Sequence, residues 1–384
     1  MLFITIFVLC ILAFMEVDIF IPSFPELIRL FKLTPFEVQL TLSVNFISYC
    51  ISSLYVGSLG DRYGRRPLIL CGLVIFLIGS AMCVWAPTFS WLVIGRFFQG
   101  IGMAGPAVLG FVVIADVTPL EKQAGRMGIL NGMTTVGMAG APILGSYINM
   151  YFGWRANFMI LLILGIISLI MTLLFIPETG KPEPSVKVEL KSYLSLLKSK
   201  EYRRYFYIFC LLITSHWTFV GMGPILYMES MGVPLQYFGF YQGAILVGFS
   251  ATSLISPVVL RHMRREICLR LSSHLMMLAG VFIALISLGV KDTPWIITLI
   301  VSLYVIPFVF PINILYPVAL SCIPDASSRA AALINFGRLI GSAAGLAGVS
   351  YLYAGTFRIL ALFMFTLTLV SYFLLFKTKE WRAT

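Results

Sequence analysis

Charged residues are scarce in this sequence: Asp, Glu, Lys and Arg make up 11% of its 384 residues, against about 25% in soluble domains. Hydrophobic residue types reach 59%, which is too apolar for a protein that folds in water. The seven cysteines show neither a paired metal-ligand spacing nor the clustering of a disulfide framework. These shortages exclude a disulfide-stapled secreted domain and predict a membrane protein without a metal site or organic cofactor.

Long apolar runs separated by charged or Pro- and Gly-rich breaks predict twelve membrane-spanning helices. The first run lacks the basic start and small-residue cleavage site of a signal peptide, so it is interpreted as a span. Twelve spans use roughly 240 residues at about 20 each, which excludes a large domain outside the membrane. The predicted spans are 2–22, 37–57, 68–86, 90–115, 127–150, 156–176, 205–228, 237–260, 267–290, 295–319, 329–353 and 356–376.

The distribution of Lys and Arg explains the net charge of +11. Of these 27 residues, twenty fall in loops on the side of the connection between spans two and three, and five fall on the opposite side. The remaining two, Arg96 and Arg338, lie within spans. By the positive-inside rule, this asymmetry predicts that both termini are cytoplasmic. The basic excess is therefore a topology signal, and no nucleic-acid partner is expected.

A hydrophilic stretch at 177–204 divides the chain into two halves, 1–176 and 205–384, with six predicted spans each. A degenerate repeat supports this division, because GSLGDRYGRR at 57–66 has a counterpart in SPVVLRHMRR at 256–265. Parallel repeats of this kind occur in secondary transporters. The predicted fold is an all-α membrane protein with two six-helix bundles joined by a cytoplasmic linker.

Four segments carry a family resemblance. The pattern GxLxDRxGRR at 57–66 resembles the signature loop of the major facilitator superfamily, and RFFQGIG at 96–102 resembles its RxxQG motif. The segment GMAGAPILG at 137–145 is similar to the antiporter motif GxxxGPxxGG, with Ala141 and Ser146 where that pattern has glycine. Together with DIFIPSFPEL at 18–27, these features resemble the bacterial bicyclomycin and chloramphenicol resistance (Bcr/CflA) group of drug:proton antiporters.

This resemblance implies a monomeric carrier in the bacterial inner membrane that exports amphipathic small molecules or drugs by alternating access, in exchange for protons. A rival hypothesis is export of an endogenous metabolite, such as a siderophore or an amino-acid derivative. An enzyme is not expected, because no nucleophile, metal site or carboxylate pair converges within the spans. A receptor or channel is less favoured, because Asp18, Arg96 and the Asp61 loop are all present. The expected partners are the substrate, protons and the lipid bilayer.

The signature loop is predicted to act as a conformational latch, in which a carboxylate pairs with arginines at helix ends. The alternative is that its arginines only anchor the topology. The predicted latch residues are Gly57, Asp61, Arg62, Gly64, Arg65 and Arg66.

Ionisable residues inside the membrane are functional candidates, because exposing them to lipid is costly. Asp18 and Arg96 are both predicted to lie in the outer part of the membrane, where a protonatable carboxylate facing an arginine suits proton coupling. Glu16 is the rival, since two positions on one helix point roughly 200° apart and both carboxylates cannot face one cavity squarely.

Polar and aromatic residues within the spans are candidates for the substrate cavity, with helix packing as the alternative. Arg338 lies near the middle of its span without an evident acidic partner, which favours an anionic or zwitterionic substrate. The remaining cavity candidates are Asn45, Tyr49, Gln99, Trp217, Tyr227, Tyr241, Asn313 and Asn335. A lightly built span five allows tight packing and a kink at Gly137, Gly140, Pro142 and Gly145.

Overall fold

The computed structural model describes residues 1–119, 137, 140–180, 193, 195–289, 293–323 and 327–382. Within these ranges the regular structure is helical, and no strand is present. Eleven helices in the described ranges are long and apolar enough to cross a membrane. Half of the predicted fifth span, 127–150, lies outside the described residues, and 140–152 is helical.

The chain divides into two compact units, Met1–Val188 and Glu189–Thr384. The division falls within the predicted linker 177–204, much of which lies outside the described residues. Unit 1 contains α1 (Leu2–Asp18), α2 (Phe24–Phe31), α3 (Pro35–Tyr63), α4 (Arg65–Val84), α5 (Phe89–Val117), α6 (140–152) and α7 (Trp154–Phe175). Unit 2 contains α8 (Lys200–Pro224), α9 (Leu235–His262), α10 (Arg265–Gly289), α11 (Pro294–Ser321), α12 (Ser327–Leu352), α13 (Arg358–Leu375) and α14 (Lys379–Arg382).

The first predicted span, 2–22, is not one helix. α1 ends at Asp18, and a 3-10 turn over Ile21–Ser23 leads into α2. Pro22 lies in that turn, where its ring and missing N–H would interrupt an α-helix. As a result, the two acidic residues of this region lie in the last turn of α1, close to a break in the helix.

The start of α3 is fixed by its sequence. Thr34 and Glu37 form a reciprocal capping box, in which the Thr34 hydroxyl accepts from the Glu37 N–H at 3.2 Å and the Glu37 carboxylate accepts from the Thr34 N–H at 2.7 Å. Pro35 occupies the first helical position, which tolerates its missing N–H. This cap positions the long α3, whose polar residues reach the interior of unit 1.

α5 lies against both α3 and α4 at short range. A Cβ at Gly100 would lie 2.1 Å from the Ser48 hydroxyl of α3, and one at Gly102 would lie 2.3 Å from the Phe76 backbone nitrogen of α4. Small residues at a helix contact let two backbones approach closely. This close approach brings the polar side chains of α5 within hydrogen-bond distance of both neighbouring helices.

Candidate functional site

The interior of unit 1 contains a buried ion pair between Glu16 of α1 and Arg96 of α5. The Glu16 side chain is 2% exposed and that of Arg96 is 0% exposed. The Arg96 Nη1 donates to Glu16 Oε1 and, at 2.8 Å, to Gln99 Oε1. Asn45 of α3 donates a further hydrogen bond to Glu16 Oε1 at 2.9 Å. A buried charge is tolerated only when it is paired and hydrogen-bonded in this way.

The hydrogen-bond network extends from this pair into two further helices. Gln99 Nε2 donates to the Ser80 hydroxyl of α4 at 2.9 Å, and Arg96 Nε donates to the Thr41 carbonyl of α3 at 3.4 Å. The guanidinium also lies 4.5 Å from the centroid of the Phe20 ring, which is a cation–π distance. The network therefore joins α1, α3, α4 and α5 around a single positive charge.

Asp18 lies apart from this network. Its side chain is fully buried, and neither carboxylate oxygen has a hydrogen-bond partner among the residues that the structure describes. The expectation that Asp18 faces Arg96 is wrong for this structure, because Glu16 occupies that place. The reason is helix geometry: residues two apart on α1 point roughly 200° apart, so one arginine does not face both carboxylates.

α6 touches the end of α1 through Gly145. A Cβ at this position would lie 1.9 Å from the Ile19 carbonyl oxygen, one residue beyond Asp18. By contrast, a Cβ at Gly140 would meet no atom of the described residues within 4 Å, and one at Gly137 would make an ordinary 3.6 Å contact with Ile11. The Pro142 carbonyl accepts from the Ser146 hydroxyl at 2.8 Å. Of the predicted glycines on this helix, Gly145 makes the close contact.

A carboxylate binds the N-terminus of α4. Glu178 accepts hydrogen bonds from the backbone N–H groups of Arg65 at 2.9 Å and Arg66 at 3.2 Å. Gly64, between α3 and α4, has φ +99°, and a Cβ there would lie 2.6 Å from Glu178 Oε2. An anion at a helix N-terminus satisfies free N–H groups and complements the helix dipole. Gly64 thus supplies both the backbone conformation and the space for the carboxylate.

The remaining latch residues are arranged unequally. Arg65 forms an ion pair with Asp116 near the end of α5, whereas its Nη2 lies 3.6 Å from Asp61 Oδ1. The Arg66 Nη2 donates to the Leu173 carbonyl of α7 at 2.8 Å. The Arg62 guanidinium lies over Tyr63, and a Cβ at Gly57 would contact none of the residues that the structure describes within 4 Å. Sequence reasoning missed Asp116 and Glu178, although their positions at the ends of predicted spans four and six were available signals.

The candidate cavity residues are dispersed. In unit 1, Asn45 and Gln99 belong to the Arg96 network, and Tyr49 is half-buried one turn further along α3 than Asn45. Tyr227 and Tyr241 of unit 2 stack with ring centroids 5.6 Å apart, and the Trp217 ring lies 6.3 Å from that of His216.

Two amides of unit 2 bind specific partners. Asn313 donates to the Ser256 hydroxyl at 2.7 Å, and Asn335 accepts from Arg338 Nε at 2.7 Å. In the described part of the chain no group of three or more His, Cys, Asp or Glu residues could hold a metal ion. The arrangement that the structure shows is a buried, hydrogen-bonded charge pair among the helices of unit 1.

Two apolar helical units, the first with an ion pair buried among its helices, have the architecture of a multi-pass membrane transporter. Residues 6–346 match the Major Facilitator Superfamily, and the chain belongs to that family. The family consists of membrane transporters and not of enzymes.

The chain is similar in sequence to two bacterial proteins. It is 27% identical to the bicyclomycin resistance protein homolog of Haemophilus influenzae over 288 residues, which cover 74% of this chain and 72% of that protein. It is also 27% identical to the multidrug resistance protein MdtL of Shigella dysenteriae over 269 residues, which cover 70% and 68%.

Solved structures share the fold at low sequence identity. The xylose transporter XylE of E. coli has a TM-score of 0.77 at 13% identity, covering 98% of this chain and 97% of that one. The human organic anion transporter MFSD10 has a TM-score of 0.70 at 17% identity, covering 97% and 98%. At these identities the likeness supports the fold alone.

Proposed function

We propose that this protein is a proton-coupled antiporter of a bacterial inner membrane that exports amphipathic small molecules from the cytoplasm. The names of the similar bacterial proteins, a bicyclomycin resistance homolog and a multidrug resistance protein, support drug export. The observation that carries proton coupling is the burial of two carboxylates two residues apart, of which Glu16 pairs with Arg96 and Asp18 has no partner among the described residues.

The two carboxylates have different tasks in this proposal. Glu16 stays ionised, because Arg96 and Asn45 compensate its charge. Asp18 has no such partner in the described residues. Burying an uncompensated carboxylate costs far more than burying the neutral acid. Asp18 therefore holds a proton in this state, and the whole cluster is electrically neutral.

Release of that proton biases the carrier toward its second conformation, although a neutral carrier with bound substrate still exchanges between the two states. An ionised Asp18 adds an uncompensated negative charge two residues from Glu16, which destabilises the buried arrangement by several kcal/mol. The carrier then favours a state in which Asp18 is hydrated and can be reprotonated from the other side of the membrane. Substrate export is coupled to this cycle when substrate binds one of the two states more tightly.

Contacts at the two ends of unit 1 support the switch. Gly145 of α6 packs against the turn that follows Asp18, so we assign this contact the role of preventing proton leakage past the Asp18 carboxyl group. An ion pair between Arg65 and Asp116 joins the start of α4 to the end of α5, and Glu178 binds the same end of α4. These contacts lie at the face that the positive-inside rule makes cytoplasmic. We assign these three residues, with Gly64, the role of the latch.

Transport by purified protein in liposomes tests this function. The vesicles carry an imposed pH gradient, acidic inside, and are offered labelled cations, neutral compounds and acids. Transporters inserted with their cytoplasmic face outward should take up at least one amphipathic compound against its concentration gradient. This uptake should stop when a protonophore collapses the pH gradient. Counterflow of labelled substrate without a gradient distinguishes a carrier from a channel or receptor. Uptake that ignores the gradient would contradict antiport.

Export of an endogenous metabolite is the second candidate function. Arg338 favours it, because a positive charge near the middle of a membrane helix suits an acidic metabolite better than a neutral drug. The acids in the same substrate panel distinguish the two functions.

A further inference from the structure

Arg338 is the second arginine within a membrane span, and its surroundings differ from those of Arg96. It is the twelfth residue of α12, roughly 17 Å from the start of that helix at 1.5 Å per residue. No carboxylate lies within 4.0 Å of its guanidinium in the part of the chain that the structure describes. Its positive charge is therefore uncompensated within the described part of unit 2.

The Arg338 side chain is anchored by one of its nitrogens, and the others remain as donors for a ligand. Its Nε donates to Asn335 Oδ1, one turn earlier on α12, at 2.7 Å. The two terminal nitrogens have no hydrogen-bond partner among the described residues, and the side chain is only half-buried. One anchored nitrogen orients the planar guanidinium while its terminal donors stay free. A guanidinium in this state binds carboxylates through two parallel hydrogen bonds.

One aromatic ring and one thiol lie near this charge. A Cβ at Gly337, the residue before Arg338, would lie 2.6 Å from Cys210 Sγ of α8, and Tyr316 of α11 interacts electrostatically with the guanidinium. Tyr316 is 38% exposed and makes an edge-to-face contact with Phe209, with ring centroids 5.6 Å apart. An anchored cation beside a partly exposed aromatic ring matches a ligand that has a flat apolar body and one anionic group.

We propose that Arg338 is the anion-binding subsite for the substrate, and that the natural substrate is an amphipathic carboxylic acid or a zwitterion with a free carboxylate. This inference rests on the proposed function as a small-molecule exporter and specifies the chemistry of its substrate. A mid-span arginine facing lipid would be costly, so its free donors face a hydrated or ligand-filled space. Tyr316 contacts the apolar body, and Asn335 orients the guanidinium.

Equilibrium binding tests the subsite without any gradient. Purified full-length protein in a neutral detergent is titrated with 1-naphthaleneacetic acid and with the matching amide, 1-naphthaleneacetamide, which differs in charge but little in shape. We expect the wild type to bind the acid at least about tenfold more tightly than the amide. Arg338→Gln should abolish this preference and leave amide binding unchanged, whereas Arg338→Lys should retain part of it. Arg358→Gln, at the exposed start of α13, is the matched control.

The results of this titration distinguish a failure of the Arg338 subsite from a failure of proton antiport. Equal binding of acid and amide by the wild type, or no binding of either, overturns the proposal whether or not the variants fold. An acid preference that survives in Arg338→Gln overturns it as well, as does displacement of the probe by phosphatidylglycerol and not by further acid. An acid preference that depends on Arg338, together with transport that ignores a pH gradient, would leave the subsite standing and refute antiport.

Discussion

Glu16 and Arg96 form a buried ion pair in which one guanidinium nitrogen bridges the Glu16 carboxylate and the Gln99 amide oxygen. The pair joins the first and the fifth helix of unit 1. Asp18, two residues beyond Glu16, takes no part in it. A single helical turn thus holds one compensated carboxylate and one uncompensated carboxylate.

Removing one member of the pair should be more damaging than removing both. Glu16→Gln leaves Arg96 as an uncompensated buried charge, and Arg96→Gln does the same to Glu16, each costing about 3–5 kcal/mol. The double variant Glu16→Gln/Arg96→Gln leaves no buried charge and should recover part of that loss. Thermal unfolding of the four proteins in detergent gives the coupling energy. Strictly additive shifts in melting temperature would contradict a direct pair.

Two glycines of α6 should respond differently to substitution by alanine. Gly145→Ala places a Cβ 1.9 Å from the Ile19 carbonyl oxygen, a backbone atom that cannot rotate away. We expect a loss of stability at or above the usual overpacking cost of about 1–3 kcal/mol, with lower transport. Gly140→Ala is the control, because its Cβ meets no atom within 4 Å in the described part of the chain. Equal yields, melting temperatures and transport rates for both variants would show that α6 does not press on α1.

The turn between α3 and α4 offers a second matched pair. Gly64→Ala forces a side chain into a φ of +99° and into the Glu178 carboxylate, and a strained backbone costs of order 1–3 kcal/mol. Gly57→Ala lies within α3, where the added Cβ has no described atom within 4 Å, and alanine favours the helix by about 1 kcal/mol. We therefore expect a lower melting temperature for the first variant and an equal or higher one for the second. The reverse order would remove Gly64 from the latch.

Glu178→Gln tests the carboxylate that binds the N-terminus of α4. Glutamine keeps one acceptor oxygen but loses the negative charge that favours a helix N-terminus. Because both carboxylate oxygens accept backbone N–H groups, we expect a loss of about 0.5–2 kcal/mol. The loss should be smaller at high salt, where surface charges are screened. A melting temperature equal to the wild type at low salt would contradict this role.

The sequence was sufficient to predict most of the described membrane helices and their approximate ends, because an apolar run is a local signal. Glu16 and Asp18 illustrate what was not accessible. Helix periodicity indicates that they point apart, but which one meets Arg96 depends on how α1 is rotated against α5. Glu178 was missed for a similar reason, since its partner at the start of α4 lies more than a hundred residues away in sequence.

The unit 2 candidates show the same limit. The intramembrane position of Arg338 was predictable from hydropathy, whereas its anchoring by Asn335 follows from their spacing of three on one helix. The stacking of Tyr227 on Tyr241 joins α9 to the π-helical turn after α8, and it could not be read from either segment alone. Local pattern thus predicts which side chains are inside the membrane, and only packing decides which of them meet.

Proton coupling through Asp18 is measured most directly by comparing gradient-driven transport with counterflow in one variant. Asp18→Asn keeps the shape of the side chain but cannot exchange a proton. Glu37→Gln is the control carboxylate variant, because glutamine can also fill this position of the α3 capping box. In liposomes we expect Asp18→Asn to exchange labelled substrate by counterflow at a rate near the wild type, while uphill uptake driven by a pH gradient falls to background. Glu37→Gln should retain both activities. Full gradient-driven uptake by Asp18→Asn would contradict the proposed role of this carboxylate.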